Sequence, residues 1–150
     1  MIPLFTSRRF WFIHGMVLTW LTRYRDFGLL LLRVGLGLMM IMHGWPKMAG
    51  GVEAWTKLGA AMQHLGISFL PQFWGFMAAA SETVGGALLV IGFLFRPATA
   101  LLFFTMVVAT VLKYRVSGGV FLEWAWPAEM AIVFLSLFLI GAGRFSLDKS

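Results

Sequence analysis

Cysteine is absent from the chain, which excludes disulfides, thiolate metal sites and dithiol redox chemistry within it. Charge is scarce as well. Charged residues make up 12% of the 150 positions, six of them acidic, whereas a soluble domain carries about a quarter. Too little polar surface remains to coat a water-soluble fold of this length. The three histidines, His14, His43 and His64, lack a ligand spacing for metal or haem. No flavin or iron–sulfur motif occurs either, so any electron transfer draws on a bound cofactor or a partner.

What is present is apolar. Hydrophobic residues account for 60% of the chain and the mean hydropathy is +0.86. Four runs are long enough, or nearly so, to cross a hydrocarbon core about 30 Å thick. They cover residues 27–45, 73–95, 97–112 and 124–143. The pattern predicts an all-α membrane protein, a four-transmembrane-helix bundle over residues 27–150. Residues 1–26 form a separate basic and apolar segment, and FWFIHGMVLTWL within it has the length of an interfacial helix. The net charge of +6 does not point to nucleic acid, because the basic residues flank the apolar runs and so orient them in the bilayer. Arg8, Arg9, Arg23, Arg25, Arg96, Arg144 and Lys149 fall on one side, against Lys47, Lys57, Lys113 and Arg115 on the other. The richer side is expected to be cytoplasmic, with both termini there.

Internal similarity suggests two tandem helical hairpins. GGVEAW after the first run echoes GGVFLEW after the third, and Ala-Ser-Glu82 in the second echoes Pro-Ala-Glu129 in the fourth. Such repetition occurs in parallel-repeat membrane folds, and also by chance in sequence this biased.

Arg33, Glu82 and Glu129 lie inside apolar runs. Charge at a helix centre costs about 2.5–3.5 kcal/mol on insertion scales, so it faces a partner or a polar cavity. Counted from the run ends, Arg33 lies about 9 Å from one boundary and Glu82 about 13 Å from the other. Long side chains bridging the remainder predict an Arg33–Glu82 pair, with snorkelling of Arg33 as the alternative. His43 and Lys47, four residues apart, are expected on one helix face, with Glu129 at similar depth. A His43, Lys47 and Glu129 cluster is therefore expected near the tryptophan-rich end, against the plainer readings of Lys47 as an interfacial anchor and His43 as an interhelical donor. Trp45, Trp55, Trp74, Trp124 and Trp126 belong to an aromatic belt, of which Trp45, Trp74 and Trp126 are candidates for the mouth of a ligand cavity. Glu53 and Glu123 read as solvated loop charges. Ala78, Ala79, Ala80, Ser81, Gly85 and Gly86 permit close helix packing.

RVGLGLMMIMHGWPKM over residues 33–48 resembles the R-x-x-x-G…H-G-x-x-K signature of the DoxX-like membrane proteins. ETVGGALLVIGFLFRPAT over residues 82–99 resembles their E-x-x-G-G…G…R-P segment, and GAGRFSLD near the end resembles their closing G-x-G-x-(aromatic)-S-x-D. The resemblance implies a four-helix protein of the bacterial cytoplasmic membrane, associated in this family with quinone-dependent sulfur oxidation and other redox complexes. It carries motif positions onto Arg33, Gly35, His43, Gly44, Lys47, Glu82, Gly86 and Arg96. Glu129 matches no motif.

The leading expectation is a redox-associated subunit that binds a quinone or similar hydrophobic metabolite between its helices. His43 or Lys47 would donate to a carbonyl oxygen while Glu82 or Glu129 relays protons. A partner carrying the redox cofactor and a homo-oligomer are the protein contacts this implies, beside the lipid bilayer. The competing readings are a non-enzymatic scaffold or assembly factor, in which ion pairs set helix register, and permeation of a small solute or proton.

Overall fold

The structure, a computed structural model, describes residues 19–148. The predicted interfacial helix falls mostly on residues 1–18, outside the described part. A 3-10 turn over Thr19–Tyr24 leads into α1, Arg25–Ala49; a short helix α2, Gly51–Gly59, and a second 3-10 turn, Ala60–Leu65, follow. Then come α3, Pro71–Ile91, α4, Phe95–Val116, and α5, Phe121–Ile140. The described residues contain no strand, and four helices are long and apolar enough to cross a membrane: α1 with its preceding turn, α3, α4 and α5. These are the four runs of the sequence with their ends moved. The second stops at Ile91 instead of Phe95 because Gly92, at φ +70°, closes α3 by donating its N–H to Leu88 O.

The helices pair as the two hairpins suggested by the internal similarity, α1 chiefly on α3 and α4 on α5. Glycine permits the first pairing. A Cβ at Gly37 would stand 2.6 Å from Gly86 O, and one at Gly86 would stand 2.7 Å from Gly37 O, so the two backbones touch where neither residue has a side chain. Met40, Leu89, Phe95, Leu102, Phe134 and Leu137 fill the centre. Leu31, Met42, Val84, Phe104, Ile132 and Leu139 stand exposed around the outside, as expected of a surface solvated by acyl chains.

The short helix α2, which carries the expected loop charge Glu53, lies against α3. Gly59 and Gly75 make the contact, because a Cβ on either would meet the backbone of the opposite helix at 1.7 Å. Glu53 and Glu123 accordingly sit on helices, in the first turns of α2 and α5. Both are exposed, and they pair with Lys57 at 2.7 Å and Lys113 at 3.5 Å.

Candidate functional site

Arg33 does not pair with Glu82, and it does not snorkel. It is 1% exposed, and its guanidinium donates from Nη1 to Ala142 O at 3.0 Å and from Nη2 to Phe145 O. The depth estimate failed because side chains on a helix lean toward its N-terminus. In the antiparallel helices α1 and α3 the two groups therefore lean apart. Arg33 lies beside Gly92, whereas Glu82 lies beside Gly44, eleven residues further along α1 and about 16 Å away along the axis.

The segment that Arg33 holds crosses one end of the bundle. Asp148 closes it, accepting from Leu94 N at 3.1 Å and Phe95 N at 2.7 Å at the start of α4 and donating its own N–H to Gly92 O at 2.9 Å. Ser146 Oγ lies 2.7 Å from both Gly143 O and Asp148 O within the segment, the two acceptors of its single proton. The first and last family-like motifs thus meet in a structural clasp.

Glu82 has a different cation. Lys47 Nζ lies 2.7 Å from its Oε1 and 2.5 Å from its Oε2. The carboxylate side chain is 4% exposed and that of Lys47 38%, so the acid is committed to the interior while the ammonium retains a route to the surface. Trp55 Nε1 donates to Lys47 O at 3.1 Å and fixes this end of α1 against α2.

The pair borders a cavity of about 380 Å³ enclosed by α2 with its following turn, α3 and α4. Its walls are apolar: Met62, Phe73, Met77, Leu101, Phe104 and Val108. Three polar features interrupt them. One is the Lys47–Glu82 pair. Another is Thr105, whose hydroxyl is bonded to Ser81 Oγ at 2.6 Å and to Leu101 O at 2.9 Å. The third is Trp74, a lining residue that buries its Nε1–H with no acceptor among the described residues, a state that costs about 1–3 kcal/mol. Phe73, Leu101 and Phe104 are exposed on the outside of the bundle, so the cavity borders the apolar surface.

The expected His43, Lys47 and Glu129 cluster is divided between two places. Residues four apart on a helix differ by about 40° in direction, enough at a helix junction to send Lys47 toward α3 and His43 toward α5. His43 is exposed, with its ring 5.2 Å from that of Trp126. Glu129 is also exposed, with no hydrogen bond or ion pair among the described residues. Of the three tryptophans named for the mouth, only Trp74 lines the cavity. Trp45 points outward and Trp126 packs on His43. Sequence reasoning missed α2 as a wall, although the small residues Gly59 and Gly75 were a readable sign of close contact.

The family model for DoxX matches residues 28–115. The inner membrane protein YphA of Escherichia coli strain K12 is 29% identical over 143 residues, which cover 85% of this chain and 96% of that protein. No solved structure matches the chain.

Proposed function

The chain belongs to the DoxX family, and from that membership and the cavity beside Lys47 and Glu82 we propose a redox-associated inner-membrane subunit that binds a quinone or similar apolar, oxygen-bearing metabolite. The observation that carries this reading is an apolar cavity bordered by the Lys47–Glu82 ion pair, one of whose lining residues, Trp74, buries an Nε1–H with no acceptor among the described residues. A carbonyl oxygen entering the cavity would meet that donor once the indole turned its N–H toward it. The volume, about 380 Å³, is at the small end of ligand sites. It suits a ring-sized headgroup with the tail outside along Leu101 and Phe104.

Reduction of a quinone to a quinol takes up two electrons and two protons. Lys47 and Glu82 are the groups positioned to hand protons to the ring oxygens, and a partner protein carrying a redox cofactor would supply the electrons. In this reading Arg33 is structural, and His43 and Glu129 lie outside the ligand's reach.

Equilibrium dialysis of a short-tailed quinone against protein in lipid nanodiscs tests the reading. Saturable binding is expected, and Trp74→Phe is expected to weaken it about tenfold, the equivalent of one hydrogen bond, without lowering thermal stability, since the unmet donor goes with the indole. Absence of saturable binding, or wild-type affinity in Trp74→Phe, rejects it.

The orientation proposed from the basic residues places both termini in the cytoplasm. Reporter fusions after Lys149 and at Ser68, in the exposed connection ahead of α3, are expected to report the cytoplasmic and the external side respectively. The same side from both fusions contradicts the three crossings, α3, α4 and α5, that lie between them.

A further inference from the structure

The face where α1 and α5 meet through His43 and Trp126 carries a carboxylate that the described residues leave unmet. Glu129 stands eight residues into α5, about 12 Å along the helix, exposed and with no polar partner among the described residues. A carboxylate at membrane depth is retained where something compensates it. None of the residues lining the cavity belongs to α5, so the ligand site does not supply that compensation.

The same face carries a complement. His43 packs against Trp126, one turn before Glu129 on α5. Side chains lean toward the N-terminus of their helix, and α1 and α5 run antiparallel, so the His43 ring and the Glu129 carboxyl lean toward a common level. The face extends along α1 through Gly28, Leu32, Gly35 and Met39, exposed residues at three- and four-residue spacing. Among the described residues nothing lies within 4 Å of where a Cβ would stand at Gly28 or Gly35, which leaves a groove for another helix.

We propose that this face is the contact between two copies of the chain, related by a two-fold axis along the membrane normal, with Glu129 of each copy sharing a proton with the partner's His43. Such an axis preserves depth, so a group meets on the other copy only what the same patch displays at its own level. An isologous contact must therefore be self-complementary. A patch with one acid and one imidazole at a shared depth meets that requirement without recourse to a foreign cation. Between helices in lipid, close approach over small residues and interhelical hydrogen bonds supply the attraction, and Gly28 and Gly35 together with His43 and Glu129 provide one of each.

The absence of cysteine makes the test clean, since one introduced residue is then the lone thiol. In liposomes, mild oxidation of Met39→Cys is expected to give a species of twice the chain mass, several-fold more abundant than from Val84→Cys. Val84 is an exposed control at comparable depth on α3, where Gly86 packs beside Met40. Adding Glu129→Ala or His43→Ala is expected to weaken dimerisation about tenfold on dilution into excess lipid. Gly35→Leu, which fills open space outside the fold, is expected to abolish the cross-link while leaving thermal unfolding intact, and it serves if the other variants misfold. Equal cross-linking at positions 39 and 84 overturns the proposal. So does a dimer indifferent to Glu129→Ala, His43→Ala and Gly35→Leu, or a Met39→Cys adduct in native membranes made with a different polypeptide instead of a second copy.

Discussion

Arg33→Met is expected to lower stability in the membrane by about 2–4 kcal/mol, the effect of losing two charge-assisted hydrogen bonds and stranding two carbonyls. Nη1 and Nη2 are the side-chain donors to Ala142 O and Phe145 O, and methionine fills similar volume without replacing either bond. Arg33→Lys is expected to recover part of the loss, since an ammonium preserves charge but lacks the planar fork that reaches two oxygens. Asp148→Ala removes the carboxylate that accepts from Leu94 N and Phe95 N, a capping loss of about 0.5–2 kcal/mol. Because Arg33 and Asp148 hold one segment, the double variant is expected to lose less than the sum of the singles. Thermal unfolding of the four variants in one lipid composition measures this. Full additivity would show that the segment is held at two independent points, and a neutral Arg33→Met would show that its guanidinium is not needed to close the bundle.

The four spans were legible because hydrophobic run length is a one-dimensional property that survives without tertiary information. The cavity wall was not. α2 carries Glu53, Thr56 and Lys57 among apolar residues, so it scores as a connection by hydropathy. Its place follows from a contact with α3 that only the paired glycines, Gly59 and Gly75, disclose.

Charge at depth was legible, and its partners were not. Position along a helix set Glu82 deep with Arg33, and Lys47 nearer the outer end, apart from the acid it pairs with, because a linear depth estimate has no term for the direction in which side chains lean. The same blindness placed His43, Lys47 and Glu129 together. Azimuth around each helix separates them, turning Lys47 toward Glu82 on α3 and leaving the His43 imidazole and the Glu129 carboxyl exposed. The closing motif, with Ser146 and Asp148, was visible as a resemblance. Its physical role required the backbone of Leu94 and Phe95, which no reading of local sequence brings near residue 148.

Lys47→Met is expected to be the most damaging substitution at the site, with a loss of about 3–5 kcal/mol, and the reason is an asymmetry within the ion pair. Glu82 has 4% of its side chain exposed and Lys47 has 38%. Removal of the ammonium leaves a carboxylate with no route to water, whereas Glu82→Gln leaves a lysine able to turn outward and is expected to cost about 1–2 kcal/mol. The double variant Lys47→Met/Glu82→Leu buries no charge and is expected to approach wild-type stability, since apolar replacement of a buried pair is often neutral or better. Stability and function then part company. If Lys47 and Glu82 exchange protons with a bound quinone, the double variant folds and still takes up the ligand, but fails to support quinone reduction with its partner. If the pair serves only to set the register of α1 on α3, the same stable variant retains that activity. Thermal unfolding alongside quinone reduction in reconstituted membranes separates the two outcomes, and the double variant decides between them because its fold is expected to be sound.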